Sequence, residues 1–222
     1  MIILGRRREV RARGPQRRRV AGVVAMALVP LTVAVGVAWA AVTDNMFPTL
    51  ATSVTCWLES GHPPCQTDNR EVYFYMDSSG EYELESEDRA TVNAAIDGEY
   101  RPTDLAFHYD SSPVFEGDAE TDIIYQEGST GLSDGAAGMT WCNALGGKPY
   151  KCDQQYIRIR GNGDYTYARV CHETGHAVGL QHGKYSTPVL DNTDGRLGCL
   201  VTPSDGHPHL GANNRENINA TY

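Results

Sequence analysis

Residues 171–182 of this 222-residue chain read CHETGHAVGLQH, and this stretch decides what the rest of the fold must build. His172 and His176 are four residues apart, so on a helix their side chains lie on one face, with Cβ atoms about 5–6 Å apart. That spacing suits two imidazole ligands of one metal ion. Glu173 lies on the same flank, where its carboxylate can act on a water molecule without binding the metal itself. The pattern therefore predicts a metal-binding helix with Glu173 as the general base.

The third histidine of the stretch, His182, requires the chain to turn. Six more residues of helix would carry it about 9 Å beyond His176 and onto another face. Gly179 stands where the turn is needed, because glycine readily adopts the left-handed conformation that often ends a helix. The three imidazoles then converge, and three protein ligands leave the fourth position open, as in catalytic rather than structural zinc sites. We expect one catalytic Zn²⁺ ion bound by His172, His176 and His182.

The stretch fits the pattern HExxHxxGxxH throughout, and in this it resembles the metzincin zinc metallopeptidases, in particular the compact matrixin group. The resemblance implies that the three histidines are zinc ligands and that Glu173 is the catalytic base. In one respect the chain departs from the family pattern, because no methionine follows His182 to form a Met-turn. Residues 198–203 occupy that position, and we expect Leu200 or Val201 to replace the methionine as an apolar floor beneath the histidines.

The alternation of predicted strands and helices indicates an α/β fold, and the resemblance makes it more specific. We expect a zincin-type, mixed and twisted sheet of about five strands, two main helices and a small, mostly irregular C-terminal subdomain. The predicted strands are 72–76, 105–109, 122–126, 139–142 and 156–160. One predicted helix begins after a Ser86 cap and ends at Gly98, and a second, the zinc helix, is capped by Asp164. A short helix is predicted over 213–221. Residues 44–67 are predicted to be an irregular arm.

The first forty residues are predicted to be a targeting segment. Eight arginines precede an apolar run over 20–37, and Ala38-Trp39-Ala40 supplies a small-x-small cleavage site. A signal peptide for export is expected, with an uncleaved membrane anchor as the alternative. Residues 41–222 then form one metallopeptidase domain, divided into an upper part, 41–182, and a lower part, 183–222.

The charge of this domain excludes one class of partner. The leader holds eight of the 19 basic residues and one of the 28 acidic ones, so the domain carries a formal charge of −16. Nucleic acid is therefore not an expected partner. We expect a monomer that acts on a protein or peptide, with a membrane involved only if the leader is retained.

All six cysteines follow the leader, and an even number in an exported chain indicates disulfides. Fifteen pairings are possible. Closeness in sequence favours Cys56 with Cys65 and Cys142 with Cys152, which leaves Cys171 with Cys199. The metzincin resemblance likewise brings the segments of Cys171 and Cys199 together under the metal.

Two further features are ambiguous from the sequence. The segment Met139-Thr140-Trp141 resembles the edge strand on which metzincins align their substrates, since an open edge accepts an extended peptide as another strand; an ordinary protected edge is the alternative. The acidic group Asp118, Glu120 and Asp122 could hold Ca²⁺ or form a solvated rim, and no calcium loop motif is present.

Together these features predict a secreted zinc-dependent endopeptidase. The rival interpretation is a non-catalytic exported module that binds zinc or a protein. Glu173 argues against the rival, because a module that only binds has no use for a carboxylate between two ligands.

Overall fold

The computed structural model describes residues 43–50, 56, 64–117 and 119–222. The predicted leader and Asp118 lie outside these described residues, so the structure does not bear on a signal peptide or anchor. No helix within the described ranges is long and apolar enough to cross a membrane.

A six-stranded sheet forms the centre of the domain. Its strands are β1 (Gln66–Thr67), β2 (Glu71–Met76), β3 (Ala106–Tyr109), β4 (Ile123–Glu127), β5 (Gly138–Leu145) and β6 (Lys151–Ile159). Five of them run parallel in the order β1-β6-β4-β2-β3, and β5 pairs antiparallel with β6. The α/β class is confirmed, with one strand more than expected, because β1 lies in the arm that the sequence predicted to be irregular.

The chain also forms three α-helices, α1 (Ser86–Ala95), α2 (Tyr167–Ala177) and α3 (Ala212–Thr221), and α2 lies against β5 and β6. Two details of α1 were predicted wrongly. Glu85, not Ser86, is the N-cap, since the Ser86 hydroxyl bonds the Glu87 carboxylate instead of the backbone. Gly98 does not end the helix, because a π-helical turn continues it over Ile96–Tyr100.

Close packing explains why residue 98 is a glycine. A Cβ at this position would lie 2.4 Å from the Tyr167 hydroxyl oxygen of α2. Glycine therefore lets the π-helical turn that follows α1 approach α2, and no left-handed conformation is involved.

The zinc helix predicted from the sequence is α2, but its cap is Thr166 rather than Asp164. The Thr166 hydroxyl accepts the backbone N–H of Arg169, and the Asp164 carboxylate instead pairs with the Arg169 guanidinium at 2.5 Å. The face predicted to meet the sheet (Ala168, Cys171, Gly175, Val178) is buried, but Cys171 and Gly175 meet Cys199 and Leu200 of the lower part instead. A contact with the sheet is made by Thr174, whose hydroxyl lies 2.9 Å from the Tyr125 hydroxyl of β4.

The chain after His182 contains short 3₁₀ turns and one α-helix. Gly183–Tyr185 and Gly195–Leu200 are 3₁₀ segments, and α3 closes the chain. The three predicted disulfides are present: Cys56–Cys65, Cys142–Cys152 and Cys171–Cys199. The last of them joins α2 to the 3₁₀ segment that precedes Val201.

The arm over 43–50 also holds this lower part in place. Thr43, Asn45 and Phe47 are almost fully buried. Asp44 forms a β-bridge with Thr187, and the Asn45 amide oxygen accepts bonds from two asparagine side chains of α3. The arm is thus part of the core and lies between the sheet and the lower part.

Candidate metal centre

The structure brings the three predicted histidines together. The Nε2 atoms of His172 and His176 are 3.1 Å apart, those of His176 and His182 are 3.1 Å apart, and those of His182 and His172 are 3.2 Å apart. Among the described residues, this is the one group of three or more His, Cys, Asp or Glu side chains placed to hold a metal ion. The His172–His176–His182 cluster is therefore a possible metal site.

A turn after α2 carries His182 back to His172 and His176. The helix ends at Ala177, and Gly179 follows with φ of +97°, in the left-handed region. The Leu180 N–H donates to the Gly175 carbonyl at 2.8 Å. Space also requires glycine here, since a Cβ would lie 2.9 Å from both Gln66 Cγ and Met46 Sδ. Gly179 is thus needed for the turn and for the approach of the N-terminal arm.

Backbone carbonyls orient two of the rings. His172 Nδ1 is 2.7 Å from the Cys199 carbonyl oxygen, and His176 Nδ1 is 2.7 Å from the Leu180 carbonyl oxygen. A carbonyl can only accept, so each Nδ1 carries the proton and each Nε2 presents a lone pair. Lone pairs that meet at such short distances repel each other unless a cation lies among them.

The geometry of the triangle fits zinc. Tetrahedral coordination with Zn–N distances of about 2.0–2.1 Å places ligand nitrogens roughly 3.3–3.4 Å apart. The observed separations of 3.1–3.2 Å are close to that value. Three neutral imidazoles, with no fourth ligand among the residues that the structure describes, are also the donor set of an open, catalytic type of site.

Burial keeps these imidazoles neutral. Desolvation, aided by the neighbouring His176 ring, lowers the pKa of His172 to about 3. Desolvation likewise lowers the pKa of His176 to about 4 and that of His182 to about 2. At neutral pH the site is therefore in the unprotonated form that a metal ion requires.

Glu173 faces the same cavity from α2 and is 7% exposed. The Thr140 hydroxyl of β5 lies 2.7 Å from its Oε2 atom. Burial raises the pKa of Glu173 to about 7, although the Thr140 hydrogen bond and the Arg169 charge oppose the rise. A carboxyl group with this pKa is suited to taking and returning a proton near neutral pH.

Gly138 is a site residue that the sequence analysis missed. A Cβ on Gly138 would lie 2.7 Å from Glu173 Oε1 and 3.1 Å from its Cδ, so only glycine leaves room for the carboxylate. The one sequence signal was a glycine immediately before the predicted edge strand. It carries no meaning until the strand is placed against α2.

The three residues predicted to bind substrate lie on β5 but differ in role. Thr140 directs its side chain to Glu173. Met139 lines the cavity. The Trp141 ring stacks on Tyr156 at 5.3 Å between centroids and does not line the cavity. Trp141 therefore has no observed connection to the site.

One edge of β5 is open. The Arg160 N–H donates to the Ala137 carbonyl, so these two residues form a hydrogen-bonded pair. Ile159 lies opposite Gly138, and its carbonyl accepts instead from the Gly128 N–H beside β4, so that pair is not hydrogen-bonded. Because bonded and non-bonded pairs alternate along an antiparallel ladder, the backbone groups of Gly138, Thr140 and Cys142 point away from β6. No described strand pairs on that side.

The histidines and Glu173 open onto a cavity of about 530 Å³. Its upper wall is residues 135–140. Residues 202–205 line it beside Arg169, whose guanidinium pairs with Asp205 at 3.3 Å. Pro64, Lys184 and Tyr185 also line it, and Tyr185 lies beside the arm, where its carbonyl accepts the Thr49 hydroxyl. The cavity is therefore a cleft between the sheet and the lower part, with the histidines on its floor.

Leu200 and Val201 are both buried beneath this region, at 0% and 3% exposure. A Cβ on Gly175 would lie 2.9 Å from Leu200 Cδ2, so Leu200 packs directly against α2 one residue before His176. Cys199 joins the same segment to Cys171 and supplies the carbonyl oxygen that orients His172. The segment around Leu200 thus supports the histidine-bearing helix.

The acidic group considered for Ca²⁺ does not form a site among the described residues. Asp118 is not described, and Asp122 is buried, with Oδ2 accepting the Tyr73 N–H at 2.6 Å. Two further histidines have separate surroundings: His108 bonds Glu71, and His209 bonds Glu99.

Comparison with known proteins adds no relative. No protein-family model matches the chain, and no curated protein matches it either.

Proposed function

We propose that this protein is a zinc-dependent endopeptidase of metzincin type. The observation that carries the proposal is the meeting, on the floor of one cleft, of three neutral histidines and a buried glutamate beside an open strand edge. The mostly parallel sheet with a single antiparallel edge strand, and the glycine turn that leads to the third histidine, are compatible with the fold that the resemblance implies.

His172, His176 and His182 would hold the zinc ion. The chemistry that a bound zinc ion supplies is Lewis acidity towards a water molecule and a carbonyl oxygen. The chain keeps two of the ligands in the required tautomer through the Cys199 and Leu180 carbonyls, so little rearrangement is needed on binding.

Glu173 moves the proton. A cation held by the three histidines would lower the pKa of this carboxyl from about 7, so the carboxylate prevails at neutral pH. Glu173 then takes a proton from the attacking water and delivers it to the leaving amine. Thr140 and Gly138 fix the position of the carboxylate during both transfers.

The edge of β5 orients the substrate. An extended peptide can add to this edge through the backbone groups of Gly138, Thr140 and Cys142, which places its backbone beside Glu173. Antiparallel addition is the more stable arrangement per residue. Recognition through the backbone requires no particular sequence, as expected of an endopeptidase.

The three disulfides indicate an oxidising environment. We propose that the protein is secreted as a monomer after removal of the leader, or held at the cell surface if the leader is retained. No other cofactor is needed for this reaction.

The proposal is tested with purified residues 41–222, loaded with one equivalent of zinc and incubated with a diverse peptide library, with and without a chelator. Glu173→Gln is the matched variant, because it keeps shape and burial while removing the base. We expect cleavage by the parent, none with the chelator, and at least about 10²-fold lower kcat in the variant. A parent that binds zinc but cleaves no peptide would favour the non-catalytic zinc- or protein-binding module instead.

A further inference from the structure

The two ends of the cleft carry opposite charge. Arg169, three residues before His172 in the first turn of α2, lines the cleft together with its ion-pair partner Asp205, whereas Lys184 lines it two residues after His182. Neither end contains a group that the proposed chemistry uses, so their charges are available for selecting a substrate.

The Arg169 end has an excess of negative charge. The Arg169 guanidinium is mostly buried and lies 2.5 Å from Asp164 Oδ1 and 3.3 Å from Asp205 Oδ1. One cation thus meets two carboxylates, which leaves a net charge of about −1. The Asp205 side chain is 65% exposed and lines the cavity, so it is accessible to a bound molecule.

The Lys184 end is positive. Among the described residues, no carboxylate forms an ion pair with Lys184 (the ion pairs involve Arg70, Arg89, Arg101, His108, Arg169, Arg196, His209 and Arg215). Its ammonium lies 4.6 Å from the centre of the Tyr185 ring, which holds it on the cavity wall. An acidic side chain bound at this end would pair with an otherwise unneutralised cation.

The sheet relates these ends to the direction of a bound peptide. The start of β5, Gly138, lies opposite the end of β6, from which the chain runs through Asp164 into α2. The end of β5 lies opposite the start of β6, which pairs with β1 two residues after Pro64. The arm over 43–50 connects this end to Tyr185, because the Gln66 amide of β1 donates to the Phe47 carbonyl and the Thr49 hydroxyl donates to the Tyr185 carbonyl. A peptide antiparallel to β5 therefore has its N-terminal half at the Pro64 and Lys184 end, and its C-terminal half at the Asp205 end.

We propose that the cleft selects peptides with an acidic residue on the N-terminal side of the cleaved bond and a basic residue on the C-terminal side. Lys184 and Asp205 are then the specificity-determining residues. This inference rests on the proposed endopeptidase function and adds the substrate class to it.

The test uses two synthetic peptides of identical composition, one with the acidic residue before and the basic residue after the central bond, the other with these two exchanged. We measure kcat/KM with the zinc-loaded protein, and the Kd of each peptide for the zinc-loaded Glu173→Gln variant by fluorescence anisotropy. Each exposed charge pair is expected to favour the first peptide about two- to five-fold, and the preference should shrink in high salt.

Two charge-neutralising variants have matched controls. Lys184→Gln and Asp205→Asn should each remove about half of the preference, on a logarithmic scale. Lys148→Gln and Asp97→Asn change exposed residues that do not line the cleft, so they should leave it unchanged.

The outcomes separate this inference from the proposed activity. A charge preference in Kd without any cleavage supports the electrostatic assignment of the cleft and overturns the peptidase. Cleavage of both peptides with equal kcat/KM and equal Kd overturns the specificity inference and leaves the peptidase standing. A preference for the exchanged peptide would also overturn it, since Arg169 rather than Asp205 would then contact the substrate.

Discussion

The upper and lower parts of this domain build the same cleft by different means. The upper part places Glu173, His172 and His176 on one helix packed against a six-stranded sheet, so their positions follow from regular hydrogen-bonded structure. The lower part supplies the Cys199 carbonyl, the Leu200 support and the wall over 202–205 mainly from irregular chain. It is held by a disulfide, by the buried arm and by α3. The proposed chemistry thus rests on the regular part, whereas the orientation of His172 depends on cross-links to the irregular one.

Removing one ligand should give the largest effect. His176→Ala leaves two histidines, and we expect it to lose zinc at micromolar metal, together with all activity, because two imidazoles rarely retain the ion. Metal analysis after dialysis measures this. His209→Ala, which changes a histidine outside the site, should retain one zinc per chain; a His176→Ala protein that also kept full zinc would remove His176 from the ligand set.

Breaking the cross-link tests the dependence of the upper part on the lower one. The double change Cys171→Ala with Cys199→Ala opens a loop with a sequence separation of 28 residues, which should cost about 3–4 kcal/mol of unfolding free energy. Because His172 bonds the Cys199 carbonyl, zinc affinity should fall as well. Denaturant unfolding and zinc titration measure the two effects.

The control for this change lies entirely within the upper part. Cys142→Ala with Cys152→Ala removes the disulfide between β5 and β6, and it should lower stability while leaving zinc affinity intact. Equal loss of zinc affinity in both double variants would show that the two parts do not differ in this way.

Gly138→Ala tests the contact between β5 and Glu173. The added methyl would lie 2.7 Å from Oε1, so the carboxylate must move, and a displacement of this size should lower kcat about 10- to 100-fold with zinc retained. Gly147→Ala is the matched control, since a Cβ there meets no atom within 4 Å. Similar kcat values for Gly138→Ala and the parent would show that the position of Glu173 is not critical.

Acidification should have a small effect on metal binding. The pKa values of His172, His176 and His182 are lowered to about 3, 4 and 2, so protons do not compete for the folded site between pH 7 and pH 5. Zinc affinity in metal-buffered dialysis should stay nearly constant over that range. A drop of tenfold or more per pH unit would contradict the neutral imidazoles.

The folding stability of the metal-free protein depends on these histidine pKa values in a different way from metal binding. A histidine whose pKa is lowered by folding binds protons more readily when unfolded, so these three histidines should cost the metal-free protein stability as pH falls from about 6.5 towards 4. Glu173 and Asp122 act in the opposite sense, because burial raises both carboxyl pKa values to about 7 and their protonation stabilises the folded form. The shift in melting temperature between pH 7 and pH 5, compared between the apoprotein and its His176→Ala variant, isolates the histidine contribution, which should be smaller in the variant.

The smallest effect is expected from replacing Leu200 by methionine, the residue of the Met-turn in the metzincins that the sequence resembles. Leu200→Met conserves volume and apolarity, so stability and kcat/KM should change by less than about 1.5 kcal/mol. Leu200→Asp, which buries a charge beside α2, is the contrasting variant and should disrupt the lower part. If Leu200→Asp folded and bound zinc as the parent does, Leu200 would have no role as a support.

The sequence by itself predicted what depends on short-range geometry. The i, i+4 spacing placed His172 and His176 on one helix face, and Gly179 indicated the turn to His182. Closeness in sequence was enough to pair four of the cysteines. Strand and helix positions followed from local periodicity, although helix caps did not: Ser86 and Asp164 both have capping side chains but use them for side-chain contacts instead.

Only the tertiary structure decided which distant residues complete the site. The contact of Gly138 with Glu173, the bond from His172 to the Cys199 carbonyl and the pairing of Arg169 with Asp205 each join residues 27 to 36 positions apart. No local pattern marks such a contact, because glycine, a backbone carbonyl and an exposed aspartate fit many surroundings. Thr43 and Asn45 are buried against α3, and these contacts join residues still farther apart in the chain. Packing of the whole core, rather than local propensity, determines where this irregular arm lies.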